Sequence, residues 1–468
     1  MYIFYDFETS SIEQIGQILT YSFILTDFKF DIRMELNDKI KLNRTQLPDI
    51  GAILTNRINI TEHQKTSDPE YIAADKICKF LGEIVDKYGR LKLVGYNANS
   101  FDLNFLRNLL IRYGYNPYFE GRLENVDILH YVKHLALENP EKYPWQTNLN
   151  KENKPYYSFK LENTSKAFNI LETEQTHSAR EDVILTIELV KILEKTFSLP
   201  LSKFNPIQIP ANFEHQDHFE FAKQKVVPWE IQNGNKYSYK YWLKLFGGKK
   251  DKIVLDLEKY ENLVNSENSE NKFSDNKDPE LSCVRFINHN KHFFVLEEFG
   301  QEDYKNWQAT AEKINHVQFF KNLTRNKYFE LIKKDWDIEY QIYDMGFERI
   351  VKLRKLVKKL LDNPDTYSQT LQELLKTRND KKDNYLIQLF NRVYLNFHPN
   401  PKPEYLLKYL EPRYITGKML RSADNFTSLN DYEIELNKVI QSETSSEQDK
   451  ALISSLNQYF VSWKNLFN

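Results

Sequence analysis

The sequence predicts a mixed-sheet α/β domain followed by a smaller β-rich domain and a helical one. Three observations carry that fold class. The first two hundred residues set three β-prone runs in a row before alternating helical and strand-like segments. Three prolines, Pro200, Pro206 and Pro210, then break the helical period. From Phe347 onward the apolar spacing is helical again. A chain of 468 residues has room for roughly three domains, and these signals place them at 1–199, 200–346 and 347–468.

Element by element, Tyr2–Tyr5 is a β-prone run, Ile15–Leu25 a second, and the region Met34–Leu42 a third after the Asp27–Asp31 turn. Pro69–Tyr88 has helical spacing, with Ile72, Ile77, Phe80, Leu81, Ile84 and Val85 on one side. Leu91–Tyr96 reads as a short apolar strand, and Phe101–Tyr113 as a helix that opens with an acid. Val126–Leu137 and Phe159–Ile170 are expected to be helical, and Arg180–Thr196 is an amphipathic helix. The middle region mixes short β-like runs (Ile253–Leu257, Cys283–Ile287, His292–Leu296) with a polar loop, Asn265–Pro279. In the last region Ile350, Leu353, Val357, Leu360 and Leu361 form a stripe among the bases of Arg349–Lys359. That basic run is either the solvated face of an amphipathic helix, the reading preferred here, or the wall of a channel for a polyanion.

Composition narrows the class further. Aromatics at 14% and a net charge of −2 exclude wholesale disorder. Two cysteines, Cys78 and Cys283, exclude a disulfide framework or a Cys-rich zinc site and suit a reducing compartment. Met1–Phe7 lacks the basic and apolar stretches of a secretory signal. No apolar stretch approaches the roughly 20 residues that cross a bilayer. The first 200 residues carry about four more acids than bases, so any polyanion handled there needs cations or local basic groups to offset the carboxylates.

The chemistry-bearing residues begin with Asp6 and Glu8 in Tyr5-Asp6-Phe7-Glu8-Thr9. Side chains two apart on a strand share a face, and two carboxylates so placed repel unless a proton or cation lies between them. A hard divalent cation is the natural solution. Asp-x-Glu alone is common by chance, and Asp102, which opens a helix after Gly95-Tyr96-Asn97, needs no function beyond the helix dipole. Later, His177 and Asp182 stand five apart where a loop runs into the Arg180–Thr196 helix. Four acids and a histidine in this order, each at a strand or helix end, are what single the set out.

Asp6-x-Glu8, Asp102 and His177-x4-Asp182 resemble the three motifs of the DEDD exonuclease superfamily, histidine branch, on a ribonuclease H-like fold. Within it the chain is similar to the bacterial exonuclease I family. The likeness rests on Gly95-Tyr96-Asn97 with Phe101-Asp102, Asn116-Pro117-Tyr118, Ser158-Phe159-Lys160-Leu161-Glu162 and Val284–Asn288, and more weakly on Arg413 and Gly417. The resemblance implies a ribonuclease H-like exonuclease domain, an SH3-like domain and a C-terminal helical domain encircling a single DNA strand. It implies that Asp6, Glu8, Asp102 and Asp182 hold two Mg²⁺ ions, with Mn²⁺ as a substitute, and that His177 is the general base. Glu8 would also touch the 3′-terminal nucleotide. The implied activity is single-strand-specific 3′-to-5′ exodeoxyribonuclease, releasing 5′-mononucleotides in DNA repair and recombination. The implied setting is a cytoplasmic monomer, met by single-strand DNA-binding protein and independent of membranes.

Arg107, Lys133 and Lys160 are candidate phosphate contacts, and Tyr118 and Phe101 candidate base-stacking rings; a solvated arginine and core aromatics are the plain alternatives. Departures from the family are Asn56-Arg57 in place of a Thr-Gly turn, and Lys160 in place of a substrate-binding arginine. Lysine keeps that charge without the planar fork. Asn139–Pro155 and Asn265–Pro279 have no counterpart in the pattern. A 3′-to-5′ exoribonuclease of the same superfamily and a catalytically weak single-strand-binding protein remain the alternatives. The two large downstream domains argue against the RNA enzyme, and a cation-dependent phosphatase or phosphodiesterase for small molecules has no use for the Tyr118 aromatics and the downstream basic surface.

Overall fold

The computed structural model describes residues 1–150, 152–171, 178–204, 337–340, 342–380, 382–416, 428–441 and 446–467. Between 204 and 337 it describes only 207–208, 226–233, 236–247, 251–265, 284–288, 293–294, 306 and 309. His177, Cys283 and Gly417 lie outside the described residues, as does Asn265–Pro279 beyond its first residue. The chain divides into two compact units: Met1–Asp127 with Thr173–Glu188 and Lys334–Asn468, and Ile128–Glu172 with Leu189–Lys333.

The first unit is built on a five-stranded sheet ordered β3-β2-β1-β4-β5. Its strands are β1 (Tyr2–Thr9), β2 (Ile18–Thr26), β3 (Ile32–Lys39), β4 (Leu91–Gly95) and β5 (Leu123–Asp127). The first three run antiparallel to one another, whereas β4 and β5 join β1 in parallel. Seven of the eight residues of β1 are buried, which fits a central strand covered on both faces. Strand β3 is an exposed edge carrying Arg33, Glu35, Asp38 and Lys39, charges that discourage pairing with another chain.

Helices α1 (Ile50–Asn56) and α2 (Ile60–Thr66) precede α3 (Glu70–Tyr88), and α4 (Asp102–Arg112) follows β4. Neither short helix was legible as a period. Arg57, in place of the family's turn glycine, takes the left-handed conformation at the end of α1, with φ 54°. The neighbouring Asn56 donates its amide to the Thr9 carbonyl at 2.8 Å. The helix expected over Val126–Leu137 starts instead at Ile128 as α5 (Ile128–Glu138), because Leu123–Asp127 is an edge strand. Only Val126 and Asp127 of that strand are buried, so its apolar signal is too short to read.

The expected stripe on Phe347–Asp362 is the buried face of that helix, through Ile350, Leu353, Val357 and Leu360. Lys352, Lys355, Lys358 and Lys359 face outward, while Arg349 pairs with Asp380 and Asp383, and Arg354 with Asp75. The run is thus mainly a solvated face. This helix packs close to the end of α4. A Cβ on Gly114 would collide with the Arg354 backbone, and the glycine has φ 74°.

Four buried charges tie the N-terminal segment of this unit to its C-terminal helices. The Arg112 Nε donates to Glu339 at 2.7 Å, Arg392 lies 3.1 Å from Glu70, and Arg112 lies 3.3 Å from Glu70. Arg392 also pairs with Glu339 at 2.9 Å. Glu70 further accepts from Tyr113 at 2.6 Å and from Asn43. The two Arg–Glu pairs neutralise each other, which burial requires. Arg413 is likewise buried, against Asp337 at 2.9 Å.

In the second unit, α5 is followed by a hairpin of β6 (Thr147–Leu149) and β7 (Pro155–Tyr157), within and just beyond the expected insertion, and then by α6 (Leu161–Ala167). Helix α7 (Ala179–Phe197) begins in the first unit and ends in the second. A four-stranded antiparallel sheet has the order 284–288, 251–256, 236–247, 226–233.

Candidate functional site

The site is assembled where β1, the β4–α4 junction and α7 meet. On β1, Asp6 and Glu8 share a face, opposite Ser22 and Thr20 of β2, and the pairing shifts register just after Glu8. The β4–α4 junction explains Gly95-Tyr96-Asn97. A Cβ on Gly95 would stand 2.6 Å from that of Ala98 and 3.1 Å from the Tyr5 ring. Asn97 turns the chain with φ 58°, a conformation asparagine tolerates.

Asp102 is the first residue of α4, and its Oδ1 accepts from the Phe7 backbone nitrogen at 3.1 Å. That bond draws the helix start onto the strand between Asp6 and Glu8. Asp182 sits on the first turn of α7, whose Arg180 forks onto Glu35 of β3 at 2.8 and 3.1 Å. One carboxylate oxygen from each of Asp6, Glu8 and Asp182 lies within 4.8 Å of the others. Asp102 is close enough to raise the pKa of both Asp6 and Glu8.

Burial and mutual repulsion set the electrostatics. Burial first, then the charge of Asp102, pushes Asp6 well above the ordinary carboxylate range. Burial, then Asp182 and Asp102, pushes Glu8 up to about 9. Asp102 is pushed up to about 8, mainly by burial, although hydrogen bonds from its own and the Phe7 backbone oppose the shift. Oxygen donors packed this tightly suit a hard divalent cation and leave a bare cluster strained by its own charge.

The other candidates separate. Arg107 lies 5.3 Å over the ring of Tyr118, which is 48% exposed, and the Arg107 Nε is buried without a hydrogen-bond partner among the described residues. Phe101 packs against the core, its ring 4.9 Å from that of Phe105. Lys133 on α5 and the exposed Lys160, at the N-cap of α6, belong to the second unit. His177 lies outside the described residues.

Sequence reasoning missed Asp127. It ends β5, is 1% exposed, and accepts from the backbone nitrogens of Asn97 at 2.8 Å and Asn99 at 2.9 Å. A second brace runs from Tyr5 through Asn125 to Asn99, at 2.8 and 2.6 Å. Both hold the loop that delivers Asp102. The available signal was an acid at a strand end, hidden because the strand was read as helix.

No family model matches the chain. Solved structures of exonuclease I match it along its whole length. A moderately thermophilic exonuclease I from Methylocaldum szegediense aligns with TM-score 0.65 and 18% identity, covering 100% of this chain and 99% of that one. The zinc ion bound form of the E. coli exonuclease I complex with single-stranded DNA aligns with TM-score 0.63 and 20% identity, covering 99% of each. The fold is therefore that of exonuclease I, and the α/β fold class read from the sequence stands. In sequence, the chain resembles Exodeoxyribonuclease I of Buchnera aphidicola, 28% identical over 202 residues. That match spans 42% of this chain and 46% of the relative, less than half its length.

Proposed function

We propose that this chain is a single-strand-specific 3′-to-5′ exodeoxyribonuclease that releases 5′-mononucleotides and serves DNA repair and recombination. The observation that carries the reading is the convergence of Asp6, Glu8 and Asp182 within 4.8 Å, with Asp102 beside them, in a fold shared end to end with exonuclease I. All four donors are carboxylates, a set that fits Mg²⁺, with Mn²⁺ as a substitute. Two such ions, when bound, supply Lewis acidity for an in-line displacement at phosphorus.

The chain's own residues do the rest. Asp6, Glu8, Asp102 and Asp182 hold the cations, and Glu8 also contacts the 3′-terminal nucleotide. His177 takes the proton of the attacking water, help that typically contributes about 10²–10⁴-fold. The water oxygen bonds to phosphorus as the bond from phosphorus to the 3′ oxygen breaks, so the shortened strand ends in a 3′ hydroxyl and the released nucleotide keeps the phosphate on its 5′ oxygen. Arg107 and the exposed Tyr118 offer a cation and a ring to the strand, and Phe101, Lys133 and Lys160 complete the contacts. Residues 1–199, 200–346 and 347–468 are the catalytic, SH3-like and helical modules of a cytoplasmic monomer, with single-strand DNA-binding protein as its partner.

The test is digestion of one strand labelled at its 5′ end, with Mg²⁺, beside the same strand in a blunt duplex and a matched RNA. Stepwise shortening of the DNA strand alone is expected. It should be abolished by EDTA and by Asp6→Ala or Asp182→Ala, and slowed to a residual rate by His177→Ala. Shortening that survives EDTA or Asp182→Ala overturns the reading, and preference for RNA moves the substrate to RNA.

A further inference from the structure

A cavity of about 500 Å³ opens inside the first unit, between the segment that follows β3 and the C-terminal helices. None of Asp6, Glu8, Asp102 and Asp182 lines it. Its walls combine aromatic faces, cations and an unmet acceptor. Tyr71 and Phe397, both half-buried, meet edge to face with ring centres 4.9 Å apart, and the Trp463 ring lies on the same cavity. The Trp463 Nε1 donates to the Arg44 carbonyl at 2.8 Å, which fixes that indole.

Arg44 is half-buried, and its Nη1 reaches only the carbonyls of Leu395 at 3.2 Å and His398 at 3.5 Å, with no carboxylate among the described residues. Lys41 adds a second cation at the exposed side. Gln64 donates to the Leu42 carbonyl at 3.0 Å, but its Oε1 is buried with no hydrogen-bond partner among the described residues. A half-buried guanidinium without a counter-ion and a buried amide oxygen without a donor are each costly in a folded protein. Both on one aromatic cavity describe a ligand with a flat ring, an N–H edge and a negative charge.

We propose that this cavity binds a nucleotide unit, with its base between the aromatic walls and its N–H edge toward Gln64. Its phosphate would lie on Arg44 and Lys41. The volume suits one such unit. The same chemistry has two sources, a free mononucleotide or a nucleotide within a bound strand. The inference goes beyond the nuclease reading and does not need it.

The test titrates deoxyadenosine 5′-monophosphate into the full chain by calorimetry, with EDTA present so that cations at the carboxylate cluster play no part. One site is expected. Arg44→Gln, Lys41→Gln and Gln64→Leu should each weaken it about tenfold or more, while Asp182→Asn leaves it unchanged. Inorganic phosphate alone should bind at least tenfold more weakly. Lys41→Gln, at an exposed position, serves if Arg44→Gln fails to fold. A twelve-residue deoxyadenosine strand that displaces the mononucleotide assigns the cavity to the strand, and failure to displace assigns it to the free nucleotide. No binding at millimolar concentration, binding insensitive to all three cavity variants, or binding lost in Asp182→Asn overturns the proposal. Strand digestion is read separately, so either proposal can fail without the other.

Discussion

Replacing Glu8 with glutamine should stabilise the cation-free protein, the reverse of what most substitutions of buried residues do. The Glu8 carboxyl is 9% exposed, and oxygens of Asp6 and Asp182 lie within 4.8 Å of it. At an effective dielectric of about 20, one pair of unit charges at 4.8 Å repels by about 3 kcal/mol. The fold avoids that repulsion by holding the carboxyl protonated, since Glu8 is pushed up to about 9 from an ordinary 4.5. Keeping at pH 7 a proton that the unfolded chain has released costs about 3 kcal/mol as well. Because the folded value is raised, this cost is absent below the unfolded pKa and grows as pH rises above it. Glu8→Gln is nearly isosteric and removes the charge. In EDTA at pH 7 its thermal midpoint should rise by about 3–6 °C, and the advantage should vanish near pH 4.5. Adding Mg²⁺ narrows that advantage. A tenfold excess over Kd is worth about 1.4 kcal/mol to the wild type, and less to a variant missing one ligand. Scanning calorimetry across pH, with and without Mg²⁺, reads all three effects. A cation-free Glu8→Gln protein less stable than wild type at pH 7, or an equal gain from Mg²⁺ in both proteins, would refute the reasoning.

Three further outcomes follow from the packing. Asp127→Asn leaves one acceptor for two backbone nitrogens, so it should lower Mg²⁺ affinity or strand hydrolysis about 10–100-fold with little change in the urea midpoint; full activity would show that the loop needs no such anchor. Glu70→Gln strips the buried arginines Arg112 and Arg392 of a counter-charge and should cost about 3–5 kcal/mol in urea unfolding. The Glu70 pKa is lowered, so its contribution should be present above pH 4.5 and fade as pH falls below it, and a loss under 1 kcal/mol would count against the pairing. Gly114→Ala sets a Cβ against the Arg354 backbone in a left-handed residue and should lower stability by about 1–3 kcal/mol, whereas a neutral effect would contradict that close approach.

What the sequence revealed follows from how local each signal is. Asp6 and Glu8 were legible because a strand's period of two sets them on one face wherever the strand goes. Asp102 and Asp182 were legible because each opens a helix whose apolar spacing marks its start. Asp127 was not, since β5 contributes only Val126 and itself to the buried side. The Glu70–Arg112–Glu339–Arg392 cluster was equally hidden. Its two halves, Glu70 with Arg112 and Glu339 with Arg392, lie more than two hundred residues apart in the chain, and a charged residue in a sequence reads as solvated until its partner is in place. Arg57 broke an expected turn pattern, yet the backbone took the left-handed turn without glycine. Arg44 and Gln64 carried no pattern at all; only the cavity they share with Tyr71, Phe397 and Trp463 gives them meaning.

The central claim is that carboxylates from the first strand and the helix at 179–197, with Asp102, form a cation site. Crystals soaked in Mn²⁺ and measured at the manganese edge test it most directly. The account predicts strong anomalous density within about 2.3 Å of oxygens of Asp6 and Asp182, absent from Asp182→Asn crystals. Well-ordered crystals with these side chains in place and no anomalous density among them would contradict it.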